Sequence, residues 1–207
     1  MRLAGLLLCL ALLAPLATAQ EAPAVATPAL ATHPRVRVVT NAGDFVIELD
    51  RGRAPRTVEA FLKYVDEGFY SGVIFHRVVA GFIAQAGGYT EGAADSDADG
   101  TNDLQPKPVS ENVINESGNG LSNLRATVGF ARTTEPHSGT SQFYINLADN
   151  IDLNPRPTRW GYAVFGKVVE GMEVVDDIGH RPTSARPPFP NNVPLETVVI
   201  ERIEHVE

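Results

Sequence analysis

The sequence predicts a mainly β protein: a closed eight-stranded antiparallel β-barrel capped by two α-helices. Eight short segments alternate apolar and polar residues with the period of two that is typical of strands. They follow one another in hairpin-like pairs without a regular βαβ pattern, which favours an antiparallel barrel. Only residues 55–67 and 170–179 have the apolar spacing of amphipathic helices.

The first 34 residues are predicted to lie outside this domain. Residues 1–19 resemble a cleaved signal peptide, because Arg2 precedes an apolar run and the small residues Ala17-Thr18-Ala19 follow it. Residues 20–34, rich in Ala, Pro and Thr, are predicted to form a flexible linker, and residues 35–207 the folded domain. The apolar run is too short for a membrane anchor. We therefore expect a periplasmic protein, or a secreted one if the cell has no outer membrane, with no membrane attachment after cleavage.

Composition argues against several classes of function. The net charge of −8 and the pI near 5.1 disfavour binding to nucleic acid or to an anionic membrane. The only cysteine is Cys9, inside the predicted signal peptide, so the exported domain has no disulfide and depends on its apolar core. We expect that domain to be a monomer.

Along the chain, the strand and helix signals are separated by turn signals. Two apolar runs flank Ala80-Gly81 and form a central hairpin, and the other strands are predicted at residues 35–40, 44–49, 127–132, 141–146, 162–168 and 196–203. The first helix begins at Pro55, which suits a first helical position, and Gly68 suits the residue beyond its end. Residues 187–190 are predicted to be an extended connector.

The central hairpin carries an unusual combination of side chains. Strand alternation is expected to place Phe75 with Arg77 on one face, and Ile83 with Gln85. No nucleophile, carboxylate pair or metal-ligand cluster accompanies them in the sequence. The hairpin is therefore suited to bind a polar backbone beside an apolar side chain, and poorly equipped to break a bond. Because an eight-stranded barrel is filled by its own side chains, such a site must lie on the outer face or the rim.

Residues 88–120 are polar and glycine-rich and are predicted to be one long loop. Part of this loop resembles the register of an EF-hand calcium site, formed by Asp95, Asp97, Asp99, Thr101 and Asp103. However, Pro106 stands where such loops carry a bidentate glutamate, although Glu111 or Glu116 could complete the shell. Two interpretations stay open: a low-affinity structural calcium site, and a solvated acidic insertion.

Four motifs in order then indicate a family. They are Phe-His-Arg-Val-Val at 75–79, Gly-Phe-Ile-Ala-Gln at 81–85, Ser-Gln-Phe-Tyr-Ile at 141–145 and Val-Phe-Gly-Lys-Val at 164–168. Together they closely resemble the cyclophilin family of peptidyl-prolyl cis-trans isomerases, and the segments at 130–133 and 146–150 are similar to its bacterial branch. The resemblance implies the barrel with two helices, isomerisation of X-Pro bonds in unfolded or extended polypeptides, and no cofactor for the chemistry.

The resemblance also implies roles for individual residues. The family's catalytic arginine falls on Arg77. The residues that line its proline pocket fall on Phe82, Ile83, Tyr144 and Leu153, and those that hold the substrate backbone fall on Gln85, Ala131, Arg132 and Gln142. Tyr162 falls where many members carry histidine and is also expected to contact substrate. The family usually has phenylalanine in place of Tyr144.

Two other functions are compatible with parts of this pattern. A binding module for proline-containing peptides could use the same pocket, and a calcium-responsive interaction domain could be built on the acidic loop. A module that only binds would not need Arg77, so its presence favours the enzyme. His76, which faces away from Arg77 on an alternating strand, is expected to be structural.

Overall fold

The computed structural model describes residues 32–93 and 102–206. Within them lie thirteen strands, two α-helices and one short 3₁₀ turn. The helices are α1 (Pro55–Asp66) and α2 (Met172–His180), and the 3₁₀ turn is Ile151–Leu153. The strands are β1 (Arg35–Thr40), β2 (Gly43–Leu49), β3 (Val73–Ile74), β4 (Arg77–Val79), β5 (Ile83–Ala86), β6 (Tyr89–Glu91), β7 (Leu104–Pro106), β8 (Thr127–Phe130), β9 (Phe143–Asn146), β10 (Val164–Glu170), β11 (Thr183–Arg186), β12 (Phe189–Pro194) and β13 (Val199–Val206).

Nine of these strands form one antiparallel sheet in the order β3-β13-β1-β2-β10-β8-β9-β5-β4. The predicted mainly β fold with two helices is thereby confirmed, whereas the predicted closed barrel of eight strands is not. The first strand of the central hairpin is divided into β3 and β4, which stand at opposite ends of the sheet order. Among the described residues no ladder joins them, so the sheet curls without hydrogen-bonded closure at this point.

Side-chain packing explains why this strand is divided into β3 and β4. Phe75 and Val78, three residues apart, both lie in the main core, so the alternation of a regular strand is broken between them. Phe75 is 1% exposed, while Arg77 is half-buried at the protein surface. The expectation that Phe75 and Arg77 share a face is therefore wrong, because the chain changes direction to bury the phenylalanine ring.

The core lies between the inner face of the sheet and α1. Phe61 of this helix lies 5.3 Å from the ring of Tyr70, 5.6 Å from that of Phe143 and 5.3 Å from that of Phe165. As predicted, α1 begins at Pro55, and Gly68 beyond its end has the left-handed φ of 64° that favours glycine. The helix therefore anchors two strands, β9 and β10, through one aromatic cluster.

The structure contains two short hairpins that the sequence patterns did not predict. The predicted loop at 88–120 contains the paired strands β6 and β7, and the predicted connector at 187–190 joins and begins the hairpin of β11 and β12. Both pack on a small second core of Ile74, Leu104 and Val193. β6, β7 and β11 have only three or four residues and β12 contains Pro190, so none of them has a clear alternating pattern. The second core stabilises the two hairpins through contacts distant in sequence.

Several predictions concern the ends and the acidic loop. Residues 1–19 and the calcium candidates Asp95, Asp97, Asp99 and Thr101 lie outside the described residues, so the signal peptide and the calcium site stay predictions. At the end of the predicted linker, the carbonyl oxygen of Pro34 accepts a hydrogen bond from the amide of Leu49 at 2.8 Å. No helix in the described ranges is long and apolar enough to cross a membrane.

Glu116, a candidate for the calcium shell, instead caps α1. Its carboxylate accepts hydrogen bonds from the amides of Arg56 at 3.1 Å and Thr57 at 2.8 Å, and from the Thr57 hydroxyl at 2.7 Å. The first turn of α1 contains no acidic residue, so this distant carboxylate supplies both the acceptor and the negative charge that a helix N-terminus favours.

Glu116→Gln should therefore lower the free energy of unfolding by about 1–2 kcal/mol, because the neutral amide is a weaker acceptor and leaves the helix dipole uncompensated. Urea denaturation at neutral pH measures the change. Glu111→Gln, at an exposed position of the same loop, serves as the control and should change the stability by less than about 0.5 kcal/mol. Equal effects of the two substitutions would contradict the capping role.

Candidate functional site

The pairing of four neighbouring strands places the candidate residues in one row. Arg77 of β4 pairs with Gln85 of β5, Gln85 pairs with Tyr144 of β9, and Tyr144 pairs with Gly129 of β8. Directly opposed residues of antiparallel strands project to the same face. Their sequence neighbours, such as Val78, lie in the core. The row therefore follows the outer face of the sheet, where the sequence analysis required a site to lie.

A chain of hydrogen bonds links the polar side chains of this face. Arg77 Nη1 donates to Gln85 Oε1 at 3.3 Å, and Gln85 Nε2 donates to Gln142 Oε1 at 2.9 Å. The amide of Ala131 donates to the carbonyl of Gln142 at 2.9 Å. Across the described ranges no carboxylate forms an ion pair with Arg77. The structure thus brings together four predicted site residues and presents an oriented, uncompensated positive charge.

Apolar candidates lie beside this polar chain. Ile83 is 4% exposed yet belongs to neither core cluster, and Phe82 is half-buried. Leu153, in the 3₁₀ turn, accepts a hydrogen bond at its carbonyl from the amide of Tyr162 at 2.9 Å. The Tyr162 ring meets that of Tyr144 edge-on at 6.0 Å. These contacts tie the 3₁₀ turn to the outer face of β9.

The side chain of Arg132 is engaged within the protein. Its guanidinium lies 4.5 Å above the ring of Tyr162 and donates to the carbonyls of Gly161 at 3.1 Å and Trp160 at 2.7 Å. These bonds use Nε and one N–H of Nη2, so the protein orients the guanidinium and only part of it is available to a substrate. Nothing in the sequence motif predicts that the Arg132 side chain makes these contacts within the protein.

The hydroxyl of Tyr144 points away from solvent. It donates to Asn123 Oδ1 at 2.6 Å, and burial raises the pKa of Tyr144 well above its usual value. The ring lies across β8, where a Cβ on Gly129 would come within 2.2 Å of it, so only glycine fits there. The hydroxyl of Tyr144 therefore fixes the ring from the buried side and does not make the surface of the site more polar. Asn123 was missed by the sequence analysis, because its contact with Tyr144 is distant in sequence.

His76, next to Arg77 in the sequence, is buried beneath the polar chain. It is 1% exposed, and its ring packs against those of Tyr89 at 4.7 Å and Phe189 at 5.3 Å. Burial lowers its pKa to about 4, although the side chain of Gln142 and the backbone of Ile74 favour the charged form. His76 is therefore neutral near pH 7, and its position fits the expected structural role.

Acidic and metal-binding groups are scarce near this face. Within residues 32–93 and 102–206, no three side chains of His, Cys, Asp or Glu converge as a metal site would require. The face offers a buried apolar side chain, amide side chains and a fixed cation. It can bind a peptide and polarise an acceptor atom.

Comparison with known proteins identifies the family. The model of the cyclophilin-type peptidyl-prolyl cis-trans isomerases matches residues 35–205. The chain belongs to the cyclophilin family. This cyclophilin is 45% identical over 177 residues to peptidyl-prolyl cis-trans isomerase A of Dickeya dadantii, covering 84% of this chain and 87% of that one. It is 44% identical over 167 residues to isomerase B of Escherichia coli, covering 79% and 94%.

Solved structures agree on the fold. A cyclophilin-type isomerase from Cryptosporidium parvum superimposes with a TM-score of 0.63 at 24% identity, covering 84% of this chain and 98% of its own. A second structure of that protein, in the presence of the dipeptide Ala-Pro, gives 0.62. The predicted family and its mainly β fold with two helices are confirmed. Together with the sequence relatives they show that this cyclophilin is a peptidyl-prolyl cis-trans isomerase, an enzyme class that needs no cofactor.

The buried His76 makes the stability of this cyclophilin depend on pH. The folded protein takes up a proton at His76 near pH 4, whereas the unfolded chain does so near pH 6.5. The stabilisation is therefore fully present above about pH 6.5 and is lost as the pH falls toward 4.

Between pH 7 and pH 5, the wild-type protein should lose about 2 kcal/mol more stability than His76→Gln, which cannot titrate at this position. Urea denaturation at both pH values measures the two slopes. Paired carboxylates such as Glu48 and Asp176 have lowered pKa values and titrate below this interval. Identical pH dependence in both proteins would show that the folded His76 is not held neutral.

Proposed function

We propose that this cyclophilin isomerises X-Pro bonds of exported polypeptides on the outer face of β4, β5 and β9, with Arg77 as the catalytic residue. The observation that carries this proposal is the chain of hydrogen bonds from Arg77 through Gln85 to Gln142, with no carboxylate paired to the arginine in the described part of the chain. A surface arginine with a purely structural role would be expected to pair with an acid.

The chemistry of the reaction explains why an arginine is useful. Delocalisation of the nitrogen lone pair into the carbonyl gives the peptide bond a rotation barrier of ~18–20 kcal/mol. In the twisted transition state this delocalisation is lost, and the proline nitrogen becomes a pyramidal hydrogen-bond acceptor. A donor placed at that nitrogen stabilises the transition state more than the planar ground state, which is what lowers the barrier. Arginine is suitable because it stays charged and holds its donors in a rigid fork.

The remaining residues would hold the two sides of the rotating bond. The proline ring lies against Phe82, Ile83, Tyr144, Leu153 and Tyr162, which exclude water from one side. The polar backbone of the substrate contacts Gln85, Gln142 and the backbone of Ala131 and Arg132. Gln85 also orients Arg77, so binding and the placement of the positive charge depend on the same side chain. The work is electrostatic and requires no covalent intermediate.

The natural substrates would be unfolded or extended segments of other exported proteins, bound by a monomer. Support for export comes from the sequence, where the charged Arg2, the apolar run and Ala17-Thr18-Ala19 have the form of a signal peptide. Extended segments suit the site, because it lies on an open sheet face that a folded chain could not follow closely.

Arg77→Ala should lower kcat/KM by at least about 10²-fold while the fold stays intact, because the donor acts in the transition state and a half-buried surface arginine without an ion pair contributes little to stability. A protease-coupled assay on an X-Pro peptide measures the rate, and circular dichroism the fold. Arg202→Ala, at an exposed arginine on β13, is the matched control and should keep the wild-type rate. Wild-type activity in a folded Arg77→Ala protein would exclude the proposed mechanism.

Expression of the full chain in a bacterium with an outer membrane tests export. The mature protein should be periplasmic and begin at Gln20, which intact-mass measurement of the periplasmic fraction would show. Ala19→Arg should leave an uncleaved precursor, because signal cleavage requires a small residue at this position. A cytoplasmic wild-type protein that retains residues 1–19 would contradict export without affecting the proposed mechanism.

A further inference from the structure

Beneath the proposed proline pocket lies a group of asparagines that has no part in the proposed reaction. Asn123 is completely buried, and all of its side-chain bonding capacity is directed at neighbouring residues. Its Oδ1 accepts from the Tyr144 hydroxyl at 2.6 Å and from Asn146 Nδ2 at 3.2 Å. Its Nδ2 donates to Asn154 Oδ1 at 3.1 Å and to the carbonyl of Tyr162 at 3.3 Å.

The network continues toward the other side of the pocket. Asn146, also completely buried, accepts a hydrogen bond at Oδ1 from Asn150 Nδ2 at 2.7 Å. The same Asn150 Nδ2 donates to the carbonyl of Phe82 at 2.8 Å. The backbone amide of Asn150 donates to the carbonyl of Asn123 at 2.7 Å, which closes the connection. We call Asn123, Asn146, Asn150 and Asn154 the asparagine hub.

The hub contacts every segment that contributes to the pocket. It binds the hydroxyl of Tyr144, the carbonyl of Phe82 and the carbonyl of Tyr162. Leu153 is held as well, because its amide donates to the carbonyl of Asn150 at 2.9 Å and Asn154 follows it in the chain. These four residues come from a strand, two turns and one irregular segment, which no single sheet ladder aligns.

A stability role alone does not explain this arrangement. Buried amides gain little net free energy from their hydrogen bonds, and an apolar core of the same shape can be equally stable. A fully satisfied network, in contrast, allows only one arrangement of the groups that it joins, because any displacement leaves a buried polar atom without a partner. The hub is therefore suited to fix geometry.

We propose that Asn123 and Asn150 are positioning residues, which hold Tyr144, Phe82, Leu153 and Tyr162 in the arrangement that receives the proline ring. This inference rests on the proposed location of the pocket. Because the ring occupies the pocket both before and during rotation, loss of positioning weakens binding of the ground state and the transition state alike. Such a change raises KM and leaves kcat nearly unaltered, whereas loss of a transition-state donor lowers kcat.

The test uses an isosteric substitution that converts a donor into an acceptor. In Asn123→Asp the carboxylate faces Asn154 Oδ1 and the Tyr162 carbonyl, and in Asn150→Asp it faces the Phe82 carbonyl and Asn146 Oδ1. The matched control is Asn119→Asp. Asn119 donates to the carbonyl of Val164 at 2.9 Å and accepts from the amide of Leu121 at 3.0 Å, and bonds to none of the pocket residues.

Steady-state kinetics on an X-Pro peptide enriched in the cis isomer should show KM raised by about 3–10-fold in Asn123→Asp and Asn150→Asp, as expected for one or two lost hydrogen bonds, with kcat within about twofold of wild type. Asn119→Asp should keep the wild-type KM even where its melting temperature falls. Asn150 is only half-buried, so Asn150→Asp decides the question if the fully buried Asn123→Asp does not fold.

A double-mutant cycle separates positioning from a general loss of order. In a Phe82→Ala background, Asn150→Asp should raise KM by less than about twofold, because the group that it positions has been removed. The inference is overturned if folded Asn150→Asp has the wild-type KM, or if Asn119→Asp raises KM as much. Those outcomes leave the proposed function intact, which fails instead if Arg77→Ala keeps its activity.

Discussion

The register of β4, β5, β9 and β8 is the constraint on which the site depends. It places Arg77, Gln85, Tyr144 and Gly129 in one row on the outer face of the sheet. A slip by one residue would send the arginine into the core and the apolar side chains into solvent, so the core packing that stabilises the sheet also fixes the site. The site therefore needs no separate scaffold, and its position follows from the folding of the central strands.

The break between β3 and β4 serves the same arrangement. By turning inward at Phe75, the chain fills the aromatic core and begins a new strand at Arg77, at the end of the sheet order. His76, between the two strands, is buried against the second small core that β6, β7 and β12 contribute to. The segment that carries the arginine is thus held on both sides, while the guanidinium itself stays half-exposed and free of acidic partners in the described part of the chain.

Much of this could be predicted from the sequence because it is encoded locally. Alternation and turn residues predicted that the central hairpin consists of strands, and apolar spacing with Pro55 predicted the first helix. The four motifs indicated the family. What the sequence could not reveal depends on contacts between distant residues. Three contacts join residues that lie more than 20 positions apart in the sequence. They are the stacking of Arg132 on Tyr162, the capping of α1 by Glu116, and the buried hydrogen bond from Tyr144 to Asn123. The inward turn of Phe75 was missed for the same reason, since the aromatic cluster overrides strand alternation.

Exchange NMR on an X-Pro peptide measures binding and bound-state rotation separately, and so shows at which step Arg77 acts. In Arg77→Lys the positive charge is kept but the rigid fork of donors is lost. We expect the peptide to bind within about threefold of the wild-type affinity, while cis–trans exchange in the complex slows by at least about tenfold. Equal exchange rates in the two complexes, or a loss confined to binding, would contradict the claim that Arg77 acts on the transition state.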